Sequence, residues 1–140
     1  CDWSSDVCSS DLIEPLSRDQ TSVINTLSEA LALVQEVGHP ALQTMLDTSS
    51  AGLSESLSVP ELMDRYLPTG HVAHVQLNDP NRRAPGQGEM AFGPILQALQ
   101  RHHYRGVIAV EPFDYHPDGP ACAAFAAGHL QGLARALAGG

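Results

Sequence analysis

The stretch Val72-Ala73-His74-Val75-Gln76-Leu77-Asn78 alternates apolar and polar side chains from His74 onward and stops at Asp79-Pro80. Alternation with this period puts His74, Gln76 and Asn78 on one face of an extended chain, and Val75 and Leu77 on the other. The result is a strand with one apolar face and one chemically capable face. His74 lies one layer deeper than Gln76, where it reads as a hydrogen-bonded interior residue rather than a ligand.

Working outward, three more short apolar runs read as strands: Leu12 to Pro15, Thr44 to Thr48 and Val107 to Val110. Helical periodicity fills the intervals. Val23, Leu27, Ala30, Val34 and Val37 recur at steps of three and four and predict a helix from Ser22 to Val37, stopped by Gly38 and Pro40. Ser58 as a cap with Pro60 in the first turn predicts a shorter helix ending before Pro68. Ile95, Leu96 and Leu99 predict a third, from near Pro94 to Gly106. Phe125, Leu130, Leu133 and Leu137 predict a fourth, from near Ala121 to Leu137.

Strand then helix, four times over, requires parallel strands, because a parallel neighbour is reached only through a long crossover. An open doubly wound sheet and a barrel both satisfy this. A nucleotide-type doubly wound sheet carries a glycine-rich turn after its first strand, whereas here Pro15-Leu16-Ser17-Arg18 follows, and Gly86-Gln87-Gly88 lacks the remaining spacing.

At the C-terminal ends of the four strands stand Glu14, Asp47, Gln76 and Glu111, separated by 33, 29 and 35 positions. One βα unit of a TIM barrel takes about 31 residues, and barrel catalysts sit at that end of the strands. The expected fold is therefore α/β, four parallel βα units forming half of a TIM (β/α)8 barrel, with the four side chains at one level. Ile13-Glu14-Pro15-Leu16 and Val110-Glu111-Pro112-Phe113 repeat a phrase in which proline holds the preceding glutamate extended. Three carboxylates and one amide oxygen make a hard, all-oxygen set suited to a divalent ion such as Mn²⁺ or Mg²⁺.

The composition narrows the partners. The net charge is −9, all seven basic residues are arginine, and no basic stripe exists, which argues against nucleic-acid binding. Without lysine, Schiff-base chemistry is absent from this segment. No apolar run reaches the roughly 18 to 20 residues of a membrane span.

Residues 1–12 share none of the periodicity of the rest, and Val7-Cys8-Ser9-Ser10-Asp11-Leu12 can be back-translated to a sequence resembling the end of a common sequencing-library adapter. They are expected to be a non-native segment preceding a domain at 13–140. Cys122 is then the one native cysteine, which fits a reducing, cytoplasmic setting and rules out a cysteine-built zinc site in this chain.

His74-Val75-Gln76-Leu77-Asn78-Asp79-Pro80-Asn81-Arg82-Arg83-Ala84-Pro85-Gly86-Gln87-Gly88 resembles a stretch of the xylose isomerase-like TIM-barrel superfamily, in particular its D-tagatose and D-psicose 3-epimerases. The segments around Glu14, Asp47 and Glu111 are similar to the family's strands five, six and eight. The resemblance implies that 13–140 is the C-terminal half of the barrel. It implies that Glu14 and Glu111 bind a metal ion with Asp47 and Gln76 and also move protons, and that Arg82 contacts a small-molecule sugar.

The departures from the epimerases are Gln76 for a metal-binding histidine, Gln20 for a glutamate, Ser50 for a histidine and Ser17 for an asparagine. Gln20 and Ser50 stand at substrate-binding positions, so their change puts a ketohexose substrate in question. The implied activity is a metal-dependent isomerase or epimerase acting beside a carbonyl. Rival readings are a dehydratase acting on a cyclic keto substrate and a fragment without activity. A homo-oligomer, in which a second copy supplies four more strands, is a further open reading. An endonuclease IV-type repair enzyme is disfavoured by the acidic, lysine-free chain.

Overall fold

The computed structural model describes residues 11–139. Four strands, β1 (Asp11–Ile13), β2 (Leu42–Asp47), β3 (Val72–Gln76) and β4 (Val107–Ala109), form one sheet in the order β1-β2-β3-β4, with every pair parallel. A strand order that never reverses has no topological switch point, which separates this chain from a doubly wound sheet and matches the consecutive winding of a barrel. Asp11 and Leu12, assigned by their sequence to the non-native segment, pair with Leu42 and Gln43. Main-chain pairing of this kind is indifferent to side-chain identity. The remainder of that segment, residues 1–10, lies outside the described residues.

Five helices cross between or follow the strands: α1 (Leu27–Val37), α2 (Thr48–Ser54), α3 (Val59–Tyr66), α4 (Phe92–Arg101) and α5 (Gly119–Ala138). α1 begins five residues later than its periodicity predicts. The Asn25 side chain donates to the carbonyls of Leu16 at 2.8 Å and Thr21 at 2.9 Å and holds this segment in a turn. Thr26 and Glu29 then close a capping box, and Gly38, at φ 63°, ends the helix in the left-handed conformation.

α2 was not foreseen. Its Thr-Ser-Ser-Ala-Gly composition has weak helix propensity, and it forms because Asp47 caps it by accepting from the Ser49 N–H at 2.9 Å while Thr48, Ser49, Ser50 and Ala51 are buried. α4 runs from Phe92, two residues before its predicted start, and ends at Arg101, five before Gly106.

One apolar core lies between the sheet and the helices. Leu46, Val75 and Leu77 supply the sheet side, and Leu27, Leu62, Met63, Phe92, Ile95 and Leu99 the helix side. The other sheet face is arranged in rows set by register: Met45, His74 and Val107 in one, and Asp47, Gln76 and Ala109 in the next. Val107 is 62% exposed in its row. This is the face that would line a barrel interior.

Candidate active site

β2 and β3 fix the first two members of the site. Asp47 and Gln76 are register partners at the C-terminal ends of adjacent strands. Asp47 is buried, and its carboxylate accepts from the Ser49 N–H at 2.9 Å, the Asn78 amide at 3.2 Å and the Ser50 hydroxyl at 3.3 Å. Burial nevertheless dominates and lifts its pKa above the ordinary 3.8.

Glu14 follows the last paired residue of β1. Its pKa is raised above 4.5, chiefly by burial and then by the negative charges of Asp47 and Glu111. Glu14 thus lies near enough to both other carboxylates predicted from sequence to feel their charge. One feature departs from expectation, because the four side chains are not at one level. Gln76 pairs with Ala109, so Glu111 stands two residues farther along, level with Asn78. A register between strands is not encoded in the sequence spacing between their ends, so this offset was not readable from the 35-residue interval.

Gln76 provides a direct test of whether these residues suit a cation. Its Oε1 is buried without a hydrogen-bond partner. A buried polar atom in that condition is unfavourable by roughly 1–3 kcal/mol unless something fills its valence. An amide oxygen lacking a donor, beside the Asp47 carboxylate, is the donor chemistry a hard divalent ion takes. Among the described residues, no three His, Cys, Asp or Glu side chains form a ready metal-holding group by themselves. Any divalent ion held here would need the amide oxygen among its donors.

Beyond Gln76 the chain turns through a loop that explains the long motif. Asp79 is 0% exposed, and its carboxylate accepts from the N–H groups of Gly86 at 3.1 Å, Gly88 at 3.1 Å and Met90 at 2.9 Å. A Cβ at position 88 would overlap that carboxylate, and at position 86, where φ is 88°, it would press on the His129 ring. The aspartate and both glycines thus shape the loop.

The loop presents Arg82, in the left-handed conformation at φ 66°. Its carbonyl accepts from the N–H groups of Phe113 at 2.9 Å and Asp114 at 3.0 Å, and its guanidinium lies 4.7 Å from the centre of the Phe113 ring. The Arg83–Asp114 ion pair, at 2.7 Å, fastens the same two loops together.

Arg82, Gln20, Ser50 and Asp47 line one pocket of about 110 Å³ together with Ser17, Asp19 and Phe113. All three predicted substrate-contacting residues therefore meet at one end of the Asp47 carboxylate. The Gln20 carbonyl oxygen accepts from the Ser17 hydroxyl at 2.6 Å and its N–H at 3.3 Å, so the amide N–H groups are what Gln20 has to donate.

Asp19 and Asn78 were not singled out as site residues. Asp19 is held below its ordinary 3.8 by the Ser17 hydroxyl, its own backbone N–H and the charge of Arg82. A carboxylate in the loop after a catalytic-type strand end is the signal that points to it. Asn78 carried the same signal as Gln76, facing the same side of β3.

Several sugar epimerases are similar to this chain. A D-psicose 3-epimerase from Agrobacterium fabrum is 33% identical over 113 residues, covering 80% of this chain and 38% of that protein. A 3-dehydro-D-guloside 4-epimerase from Escherichia coli is 29% identical over 99 residues, covering 71% and 37%. The crystal structure of a D-psicose 3-epimerase in the presence of D-fructose superposes with a TM-score of 0.67 at 34% identity, covering 74% of this chain and 35% of that one. The chain thus spans well under half the length of these relatives. The family described as xylose isomerase-like TIM barrel matches residues 12–133, and with the parallel, consecutively wound sheet this establishes that the chain belongs to that family and forms part of one barrel.

Proposed function

We propose that the protein containing this chain is a divalent-metal-dependent isomerase or epimerase of a keto sugar or a sugar-like hydroxyketone. The observation that carries this reading is the pairing of Asp47 with Gln76, whose buried Oε1 has no partner, at strand ends where Glu14 feels the charges of Asp47 and Glu111. Similarity to sugar epimerases supports the substrate class.

In this reading Glu14, Asp47, Gln76 and Glu111 would hold the ion, Mn²⁺ or Mg²⁺. When bound, such an ion polarises a carbonyl and the hydroxyl beside it, acidifying the C–H between them. Glu14 removes that proton. Glu111 returns a proton from the opposite side. Return to the same carbon inverts it, and return to the neighbouring carbon interconverts aldose and ketose. Arg82 fixes the sugar oxygens from across the pocket, its guanidinium braced on Phe113, while Gln20 and Ser50 contribute neutral polar contacts.

Incubating the full-length protein with keto sugars and Mn²⁺ in D₂O tests the reaction. Deuterium should enter at a carbon beside the carbonyl, and EDTA should stop its entry. A stable enone product would replace the proposal with a dehydratase, and no exchange with any keto sugar would remove it.

Arg82→Ala is expected to lower kcat/KM by about 10- to 100-fold, since a hydrogen bond to a charged group contributes roughly 1.5–3 kcal/mol. The loss should lie mostly in KM. Arg82→Lys should recover little of it, because a lysine lacks the planar fork and stacks poorly on Phe113. Steady-state kinetics of the two variants check this.

A further inference from the structure

Glu111 stands one inward-facing position beyond the Asp47–Gln76 row, yet it has to work with Asp47. Strand pairing cannot set that relation, because β4 ends at Ala109. Asn78 spans the gap. It is 1% exposed, its Oδ1 accepts the main-chain N–H of Glu111 at 2.7 Å, and its Nδ2 donates to Asp47 Oδ1 at 3.2 Å. Its own main chain is clamped from the other side, with the Thr48 hydroxyl accepting its N–H at 2.8 Å and donating to its carbonyl at 2.7 Å.

We propose that Asn78 is a positioning residue that sets the separation of Asp47 and Glu111, joining the ends of β2, β3 and β4 through one amide. The proposal rests on the reading of Asp47 and Glu111 as ligands. The chemistry of the two contacts specifies the residue type. One side needs an acceptor for an N–H and the other a donor for a carboxylate, at nearly the same distance from Cα, which a primary amide supplies and a carboxylate does not. Aspartate here would keep the Glu111 contact and set a second negative charge against Asp47. Alanine would leave the Glu111 N–H without its acceptor and part of the buried Asp47 carboxylate unpaired. Groups that orient ligands in this manner typically govern metal affinity by 10- to 100-fold.

Mn²⁺ titration by calorimetry, with amide hydrogen exchange at Glu111, tests this in the full-length protein. Asn78→Ala should weaken Mn²⁺ binding by about 10- to 100-fold and remove exchange protection from the Glu111 N–H. Thr48→Val, which cuts the clamp on the Asn78 main chain but spares the amide, should lower the melting temperature and leave Mn²⁺ affinity unchanged. Should Asn78→Ala fail to fold, Asn78→Ser keeps a hydroxyl in the site but is too short to reach both partners, and should show the same loss of affinity. Wild-type Mn²⁺ affinity in the Asn78 variants overturns the proposal, as does an equal loss in Thr48→Val. Absence of Mn²⁺ binding by the wild-type protein overturns the four-ligand reading and this inference with it.

Discussion

Glu14→Gln and Glu111→Gln are each expected to reduce turnover by at least 10²- to 10⁴-fold, the range that a positioned general acid or base contributes. Both substitutions are isosteric, so the loss should appear in kcat with circular dichroism unchanged. Glu14→Gln should also change stability. Glu14 has a pKa raised in the folded state, chiefly by burial. Its contribution to stability is fully present below the unfolded value and is lost as pH rises through the folded value. At neutral pH, the ionised Glu14 is therefore a burden on the metal-free protein.

It follows that Glu14→Gln should melt higher than wild type at neutral pH in EDTA, and that the advantage should vanish as pH falls into the ordinary carboxylate range. Paired thermal melts across that range measure it. Wild-type turnover in either variant would sink the catalytic assignment, and a Glu14→Gln protein less stable than wild type at neutral pH would sink the electrostatic one.

The parts of this fold readable in the sequence were those whose cause is local. The strands were legible because period-two alternation and short β-branched runs report burial directly, as in Val72–Gln76. The ends of β2 and β3 were legible too, so that Asp47 and Gln76 could be expected side by side, as their register pairing has them. What escaped depends on contacts between distant segments. Ser22 and Val23 fit a helical period, but Asn25 reaches back to Leu16 and delays α1. The Thr48–Ser54 helix has no propensity of its own and exists through its Asp47 cap and its burial. The register shift between Thr44 and Met45 and the height of Glu111 above the Asp47 row follow from pairing geometry, to which residue counts along the chain are blind. The long motif after β3 was visible as a pattern, but its reason, a buried carboxylate gathering three N–H groups, becomes apparent only once the loop is closed.

That reason yields the largest stability effect expected outside the core. Asp79→Ala removes the acceptor shared by Gly86, Gly88 and Met90. Each amide left unpaired in a buried setting is unfavourable by roughly 1–3 kcal/mol. Gly88 lies at the surface and can turn to water, so the two remaining amides should sum to about 2–6 kcal/mol, a large part of the 5–15 kcal/mol that holds a domain folded. Asp79→Asn should be milder, since its remaining carbonyl oxygen still accepts while its amide N–H group faces another donor. Function should suffer separately. The loop presents Arg82, whereas Asp47, Gln76 and Glu111 are carried by the strands and their immediate ends, so KM should rise while Mn²⁺ affinity stays near wild type. Urea unfolding, exchange rates at the three amides and a Mn²⁺ titration on the same variant separate these effects. An Asp79→Ala protein with wild-type stability would mean that water, not the carboxylate, holds the loop. Equal losses in Mn²⁺ affinity and KM would mean that the loop and the carboxylate site are one unit, and the division of labour between Arg82 and the strand-end residues would have to be abandoned.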